Sequence, residues 1–140
     1  MSINKGLFTS TTDQWATPQA FFDEVNKEFN FRLDVCADAE NSKCGIYLSK
    51  EVNALTKNWS DVDGWKWMNP PYGRQIKEWV KKASEERMVV ALLPARTDTR
   101  YFHEFIYKKK DVEIRFIKGR LKFGEATNSA PFPSMLVIFK

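Results

Sequence analysis

The stretch Trp65-Lys66-Trp67-Met68-Asn69-Pro70-Pro71-Tyr72 restricts this chain more than any other, because bulky strand-forming residues run straight into two prolines. Trp65 to Met68 is short, aromatic and bounded by turn residues, which predicts a strand. Neither proline can donate a ladder hydrogen bond, so a central strand cannot continue through them. The backbone must leave its sheet at Asn69, and residues 69–72 therefore stand at a strand end.

The rest of the chain supplies a frame for that strand. Thr17-Pro18 has the form of a helix start, with Thr17 at the N-cap, and Phe21, Phe22, Val25 and Phe29 follow on one face, which predicts a helix over 18–29. Phe31 to Ala37 alternates and reads as a strand ending in an acidic loop; Gly45 to Leu48 is a short strand candidate. Arg74 to Arg87 carries Ile76, Trp79, Val80 and Ala83 on one face and charges on the other, the pattern of an amphipathic helix. Met88 to Leu93 is continuously apolar, as a buried parallel strand would be. Asp98 is placed to cap a helix carrying Phe102, Phe105 and Ile106. Val112 to Ile117 and Ser134 to Phe139 read as the last two strands, joined by a loop or hairpin over 119–133. Strands alternating with helices indicate an α/β layer structure with a mainly parallel sheet.

A chain of 140 residues has the size of one domain, expected here as a flexible arm over 1–14 and a folded unit over 15–140. Hydrophobic residues at 43% exclude a disordered chain, and no apolar run is long enough to span a membrane. Residues 1–30 lack a basic start followed by an apolar block, so a soluble cytoplasmic protein is expected. Two cysteines and one histidine make neither a disulfide framework nor a metal site, and none is expected. With 22 Lys and Arg against 18 Asp and Glu, the net charge of +4 permits a polyanionic partner. The basic residues thicken after Arg96, and in Arg120-Leu121-Lys122-Phe123 charges alternate with apolar residues, so that one face can meet nucleic acid phosphates.

At the strand end the residues describe a chemistry. Asn69 carries an amide oxygen, Pro70 and Pro71 keep carbonyls while losing backbone freedom, and Tyr72 adds a flat ring. This stiff set of acceptors suits a planar substrate bearing an –NH₂ group, such as adenine. Two acceptors holding its protons favour a pyramidal nitrogen and push the lone pair out of conjugation, which stabilises the transition state over the ground state. Acceptor geometry alone does not separate adenine from cytosine or from a glutamine side chain. A general base, metal or covalent nucleophile is not needed. In an open α/β sheet ligands bind at the carboxyl ends of strands, which puts Asp34 and the loop Asp38-Ala39-Glu40-Asn41-Ser42-Lys43 where a cofactor would sit, and the helix starting at Pro18 offers N–H groups to a carboxylate.

With these landmarks placed, the chain resembles the phage-type DNA N-6-adenine methyltransferases, within the wider class of S-adenosylmethionine-dependent amino methyltransferases. The resemblance covers about residues 15–139 and is carried by Trp15-Ala16-Thr17-Pro18, Leu33-Asp34-Val35-Cys36-Ala37, Asn69-Pro70-Pro71-Tyr72, Leu92-Leu93-Pro94-Ala95-Arg96-Thr97-Asp98-Thr99, Gly119-Arg120-Leu121-Lys122-Phe123 and Pro131-Phe132-Pro133-Ser134-Met135-Leu136. It implies a minimal Rossmann-like methyltransferase fold with helices on both faces of the sheet. It implies site-specific transfer of a methyl group from S-adenosylmethionine to N6 of adenine in DNA, in a bacterial host cell and from a phage or prophage gene. Asn69, Pro70, Pro71 and Tyr72 would hold the target base; Trp15, Thr17, Pro18, Asp34, Cys36, Ala37 and Asn53 would hold the cofactor; Arg96, Arg120 and Lys122 would meet DNA. Two positions depart from the pattern. The wider class usually has a glycine-rich loop where this chain reads Cys36-Ala37-Asp38-Ala39. Relatives often read Asp-Gly-Leu where it reads Asn53-Ala54-Leu55. The alternatives are transfer to cytosine N4 or a protein glutamine, and a DNA-binding relative without catalysis. In so short a chain target recognition comes from loops or from a second copy in a homo-oligomer.

Overall fold

The computed structural model describes residues 15–123 and 130–140. The arm expected over 1–14 lies outside the described residues. Six strands form one sheet in the order β2-β1-β3-β4-β6-β5, with β1 at Leu33–Asp34, β2 at Ile46–Tyr47, β3 at Lys66–Met68, β4 at Val89–Pro94, β5 at Val112–Phe116 and β6 at Ser134–Phe139. The helices are α1, Gln19–Phe29, and α2, Ile76–Glu86. The expectation of a mainly parallel sheet meets a mixed one. β1 pairs in parallel with β2 and β3, and β3 with β4, but β6 runs antiparallel to both β4 and β5. β6 lies between β4 and β5 in the sheet.

β4 and β6 form the spine, and their side chains alternate as a sheet buried on both faces requires. Val89, Ala91 and Leu93 with Met135, Val137 and Phe139 point to one core, where Trp79, Val80 and Ala83 of α2 join Trp59 and Phe102. Val90 and Leu92 with Leu136 and Ile138 point to the other, where Phe22 of α1 joins Phe31, Trp67 and Tyr72. The two helices therefore cover opposite faces.

Three local expectations change. β1 is only two residues long, although Arg32 N–H to the Trp65 carbonyl and Val35 N–H to the Trp67 carbonyl extend its ladder. Phe102, Phe105 and Ile106 lie on a five-residue π-helical turn, Phe102–Ile106, whose N-cap is Tyr101 with no side-chain bond, so Asp98 is not its cap. Thr17 does not cap α1 either: the N-cap is Pro18, with no side-chain bond, because the Thr17 hydroxyl is taken by Asn69.

The topology fixes where ligands can go. From β1 the chain passes to β2 on one side and then crosses, through 3₁₀ turns at Lys50–Val52, Ala54–Thr56 and Trp59–Asp61, to β3 on the other side. The strand order reverses between β1 and β3, and crevices open beyond the carboxyl ends of strands at such a point. Asp34 and Asn69 are the residues at those two ends.

Candidate active site

A cavity of about 470 Å³ occupies that crevice. Its wall brings together Trp15 and Thr17 before α1, Asp34, Cys36 and Ala37 after β1, Asn53 in the crossover, and Asn69, Pro70 and Pro71 after β3. Pro18 and Tyr72 are not in the wall. Arg96, Arg120 and Lys122 lie outside it and are exposed. Asp38, Asn41 and Lys43 of the loop after β1 are in the wall, but periodicity gave no sign of Glu51, Gln75 or Trp79 there. The signal that could have found Glu51 is its place just beyond β2, a second strand end on the same side of the sheet.

Asn69 is held from one side. Its Nδ2 donates to the Trp15 carbonyl and to Thr17 Oγ1 at 3.0 Å. Its Oδ1 is buried and has no hydrogen-bond partner. A buried acceptor left without a donor costs roughly 1–3 kcal/mol, so the strand end is set to take one. The double proline explains the stiffness: φ is fixed at both positions and no backbone N–H competes for that oxygen.

Tyr72 sits behind this point rather than in the cavity. It is buried, and its hydroxyl donates to the Leu92 carbonyl at 2.8 Å, which ties the chain leaving β3 to the neighbouring β4. Burial pushes its pKa well above the ordinary phenol value. Its ring meets Phe132 at 5.7 Å and Phe123 at 6.3 Å, both edge-on. Trp15 packs edge-on against the same two rings at 5.2 and 5.5 Å, and the Arg96 guanidinium lies 5.7 Å over Phe132. An aromatic wall thus closes this side of residues 69–72.

Asp34 is the buried charge of the site. Its carboxylate accepts the Cys36 N–H at 3.1 Å and the Lys43 N–H at 3.0 Å, which folds the loop after β1 over the cavity. Burial raises its pKa to about 6, against the lowering effect of those two N–H groups and of the Lys43 charge. Burial, with the Asp34 charge adding to it, pushes the Cys36 and Cys44 thiols up to about 12. Both cysteines are free, and at such a pKa neither is a nucleophile at neutral pH.

The remaining wall rests on Trp59. Fully buried, it donates Nε1 to the Ala54 carbonyl at 3.0 Å and stacks on Trp79 with centroids 6.1 Å apart. This fixes the turn that presents Asn53, whose backbone is left-handed at φ 49°. The Trp79 Nε1 is buried without a partner beside the same wall. Among the described residues there is no cluster of His, Cys, Asp and Glu able to hold a metal ion. No helix among them is long and apolar enough to cross a membrane.

The comparisons with known proteins agree with one another. The family model for DNA N-6-adenine-methyltransferase (Dam) matches residues 5–140. The chain is 32% identical over 142 residues to the DNA N-6-adenine-methyltransferase of Haemophilus phage HP1 (strain HP1c1), covering 94% of this chain and 80% of that protein. It is 42% identical over 65 residues to YfdM of Escherichia coli (strain K12), provisionally named a methyltransferase, covering 43% of this chain and 71% of that protein. No solved structure matches the chain.

Proposed function

The chain belongs to the DNA N-6-adenine-methyltransferase family, and on that premise we propose that its cavity holds S-adenosylmethionine and that Asn69 receives the exocyclic amine of an adenine in DNA. The observation that carries this reading is the buried, unpartnered Oδ1 of Asn69, a residue in the wall of a cavity that also contains a buried carboxylate.

The donors and acceptors around the cavity fit the cofactor group by group. Asp34, buried and negative, suits its ammonium. The uncapped N-terminus of α1, reached through Thr17 and Pro18, offers backbone N–H groups and a positive dipole end to its carboxylate. Glu51 has the chemistry to accept ribose hydroxyls, and Asn53 that to pair with the base edge, with Trp15, Cys36 and Ala37 enclosing the middle. A volume of about 470 Å³ lies within the usual range for such ligands. The cofactor, when bound, supplies a methyl group made electrophilic by its sulfonium.

The chain's own part is to prepare the amine. Asn69 Oδ1 and the Pro70 carbonyl accept its two N–H bonds, which pulls the nitrogen towards a pyramidal form and aims its lone pair at the methyl group. Once methylated, the nitrogen would be a strong acid and would lose its proton to water, so the chain would need no side-chain base. Pro71 holds the turn, and Tyr72 anchors it to β4 through Leu92. Because Oδ1 is shut off from solvent, the base enters only when the wall of Trp15, Phe123 and Phe132 parts, and Tyr72 then offers its ring for stacking, worth about 1–3 kcal/mol. The adenine must be flipped or single-stranded to reach it. Arg96, Arg120 and Lys122 meet the phosphates. The unit that does this is one Rossmann-like domain over residues 15–140; the reversal of strand order between β1 and β3 and the helices on opposite faces support that assignment.

Calorimetric titration of the wild type and Asn69→Ala with S-adenosylhomocysteine, beside transfer of labelled methyl to DNA, tests the reading. Both proteins are expected to bind the cofactor product with similar affinity and only the wild type to label DNA. Full turnover by Asn69→Ala would refute the role of the amide.

A further inference from the structure

We propose that Thr17 is a positioning residue that, beside the Trp15 carbonyl, holds the Asn69 amide in place with its oxygen facing the substrate amine. The inference rests on the methyltransferase reading above. An asparagine amide has two orientations of nearly equal shape, and only one presents an acceptor. Here the choice is made by the segment before α1. The Trp15 carbonyl can only accept, so the group facing it must be the –NH₂. Thr17 Oγ1, at 3.0 Å, receives the second N–H of the same nitrogen. Oδ1 is thereby directed away from residues 15–17 and left without a partner.

Among the described residues, the Thr17 side chain makes its hydrogen bond to Asn69 and none to the helix that follows it. It is 4% exposed, and a threonine in front of a helix ordinarily gives its oxygen to a backbone N–H two or three residues on. That bond is absent from α1, whose N-cap is Pro18 with no side-chain bond. The hydroxyl instead reaches a residue 52 positions away. In the reversed orientation the Asn69 oxygen would face the Trp15 carbonyl and its nitrogen would face the incoming amine, acceptor against acceptor and donor against donor. Without the Thr17 oxygen, one N–H loses its acceptor in a closed site and the amide is held by the Trp15 carbonyl alone. Residues 15–17 also line the cavity, so the wall that encloses the cofactor also sets the acceptor for the base.

The test uses the full chain with Thr17→Val, which keeps the shape and removes the hydroxyl, and Thr17→Ser, which restores it. Thr17→Ala is measured beside them as the smaller replacement should Thr17→Val not fold. At saturating S-adenosylmethionine the hydroxyl-free variants are expected to lower kcat about tenfold, the net worth of one hydrogen bond, about 1.4 kcal/mol. Saturating cofactor keeps any change in its affinity out of the reading, and Thr17→Ser recovers kcat to within about twofold. Unchanged kcat in the hydroxyl-free variants overturns the proposal. So does a loss confined to cofactor affinity, which would make Thr17 a cofactor contact only, and so does a Thr17→Ser protein as slow as Thr17→Val. A wild-type chain that neither binds S-adenosylhomocysteine nor methylates DNA would instead remove the methyltransferase reading itself.

Discussion

Lowering the pH from 7.5 to 5 is predicted to stabilise the ligand-free protein while weakening its hold on the cofactor, and both effects come from Asp34. Burial raises the folded-state pKa of this carboxyl from 3.8 to about 6, so between those values the folded chain binds more protons than the unfolded one. Stability from this group is therefore fully present below pH 3.8 and is lost as pH rises through about 6. A tenfold difference in proton affinity is worth about 1.36 kcal/mol, and integrating the folded and unfolded titrations from pH 5 to pH 7.5 gives a loss of about 1.4 kcal/mol. For a chain of this size that corresponds to a melting temperature roughly 4 °C higher at pH 5 than at pH 7.5. The other shifted carboxylates do not reverse the sign. Arg115 lowers Glu28 and Glu113, and at Glu86 burial is the largest single effect and raises the pKa, but the Lys82 bond and charge with the Ser60 and Trp59 N–H groups together outweigh it, so their contributions change below pH 5. Cofactor binding runs the other way, because its ammonium requires the ionised carboxylate: with the pKa near 6, the Kd for S-adenosylhomocysteine rises about tenfold at pH 5. Scanning calorimetry without ligand and isothermal titration with S-adenosylhomocysteine, each at pH 5, 6 and 7.5, measure the two trends. A melting temperature that falls on acidification, together with a Kd that does not move, would refute the assignment of Asp34 as the buried anion of the site.

Other consequences follow from named contacts. Arg120→Ala with Lys122→Ala removes two exposed cations, so DNA binding should weaken and the slope of log K against log salt should fall by about 2 in magnitude; an unchanged slope places the DNA surface elsewhere. Tyr72→Phe deletes the bond to the Leu92 carbonyl but keeps the ring. Thermal unfolding should show a loss of about 1–2 kcal/mol with the methyl-transfer rate retained below the transition, and a collapse of the rate without a loss of stability would give the hydroxyl a direct role. Cys36 and Cys44, with thiols pushed up to about 12, should react with iodoacetamide at pH 8 far more slowly than in the urea-unfolded chain. Equal rates would contradict the burial argument.

What could be read from residues alone follows their range of interaction. β4 and β6 were legible because a strand buried on both faces must be apolar throughout, and Val89 to Leu93 and Met135 to Phe139 are. The strand exit at Asn69 was legible because proline removes a backbone donor whatever surrounds it. The direction of β6 was not, since an apolar run has the same composition in either orientation. Thr17 was misplaced as a helix cap because its true partner, Asn69, is distant in sequence and nothing local announces the competition. The π-helical turn at 102–106 escaped for the related reason that Phe102, Phe105 and Ile106 have the same one-face spacing as an ordinary helix. Glu51 joined the site through a turn that carries no periodic signal.

The central claim is that the oxygens of Asn69 and Pro70 prepare the exocyclic amine of adenine for methyl transfer. DNA treated with the purified chain and isotopically labelled S-adenosylmethionine, then digested to nucleosides and resolved by mass spectrometry, reads out the methylated atom. The account predicts label in N6-methyldeoxyadenosine alone with the wild type, and none with Asn69→Ala. Label in N4-methyldeoxycytidine, or undiminished label in deoxyadenosine from the variant, would contradict it.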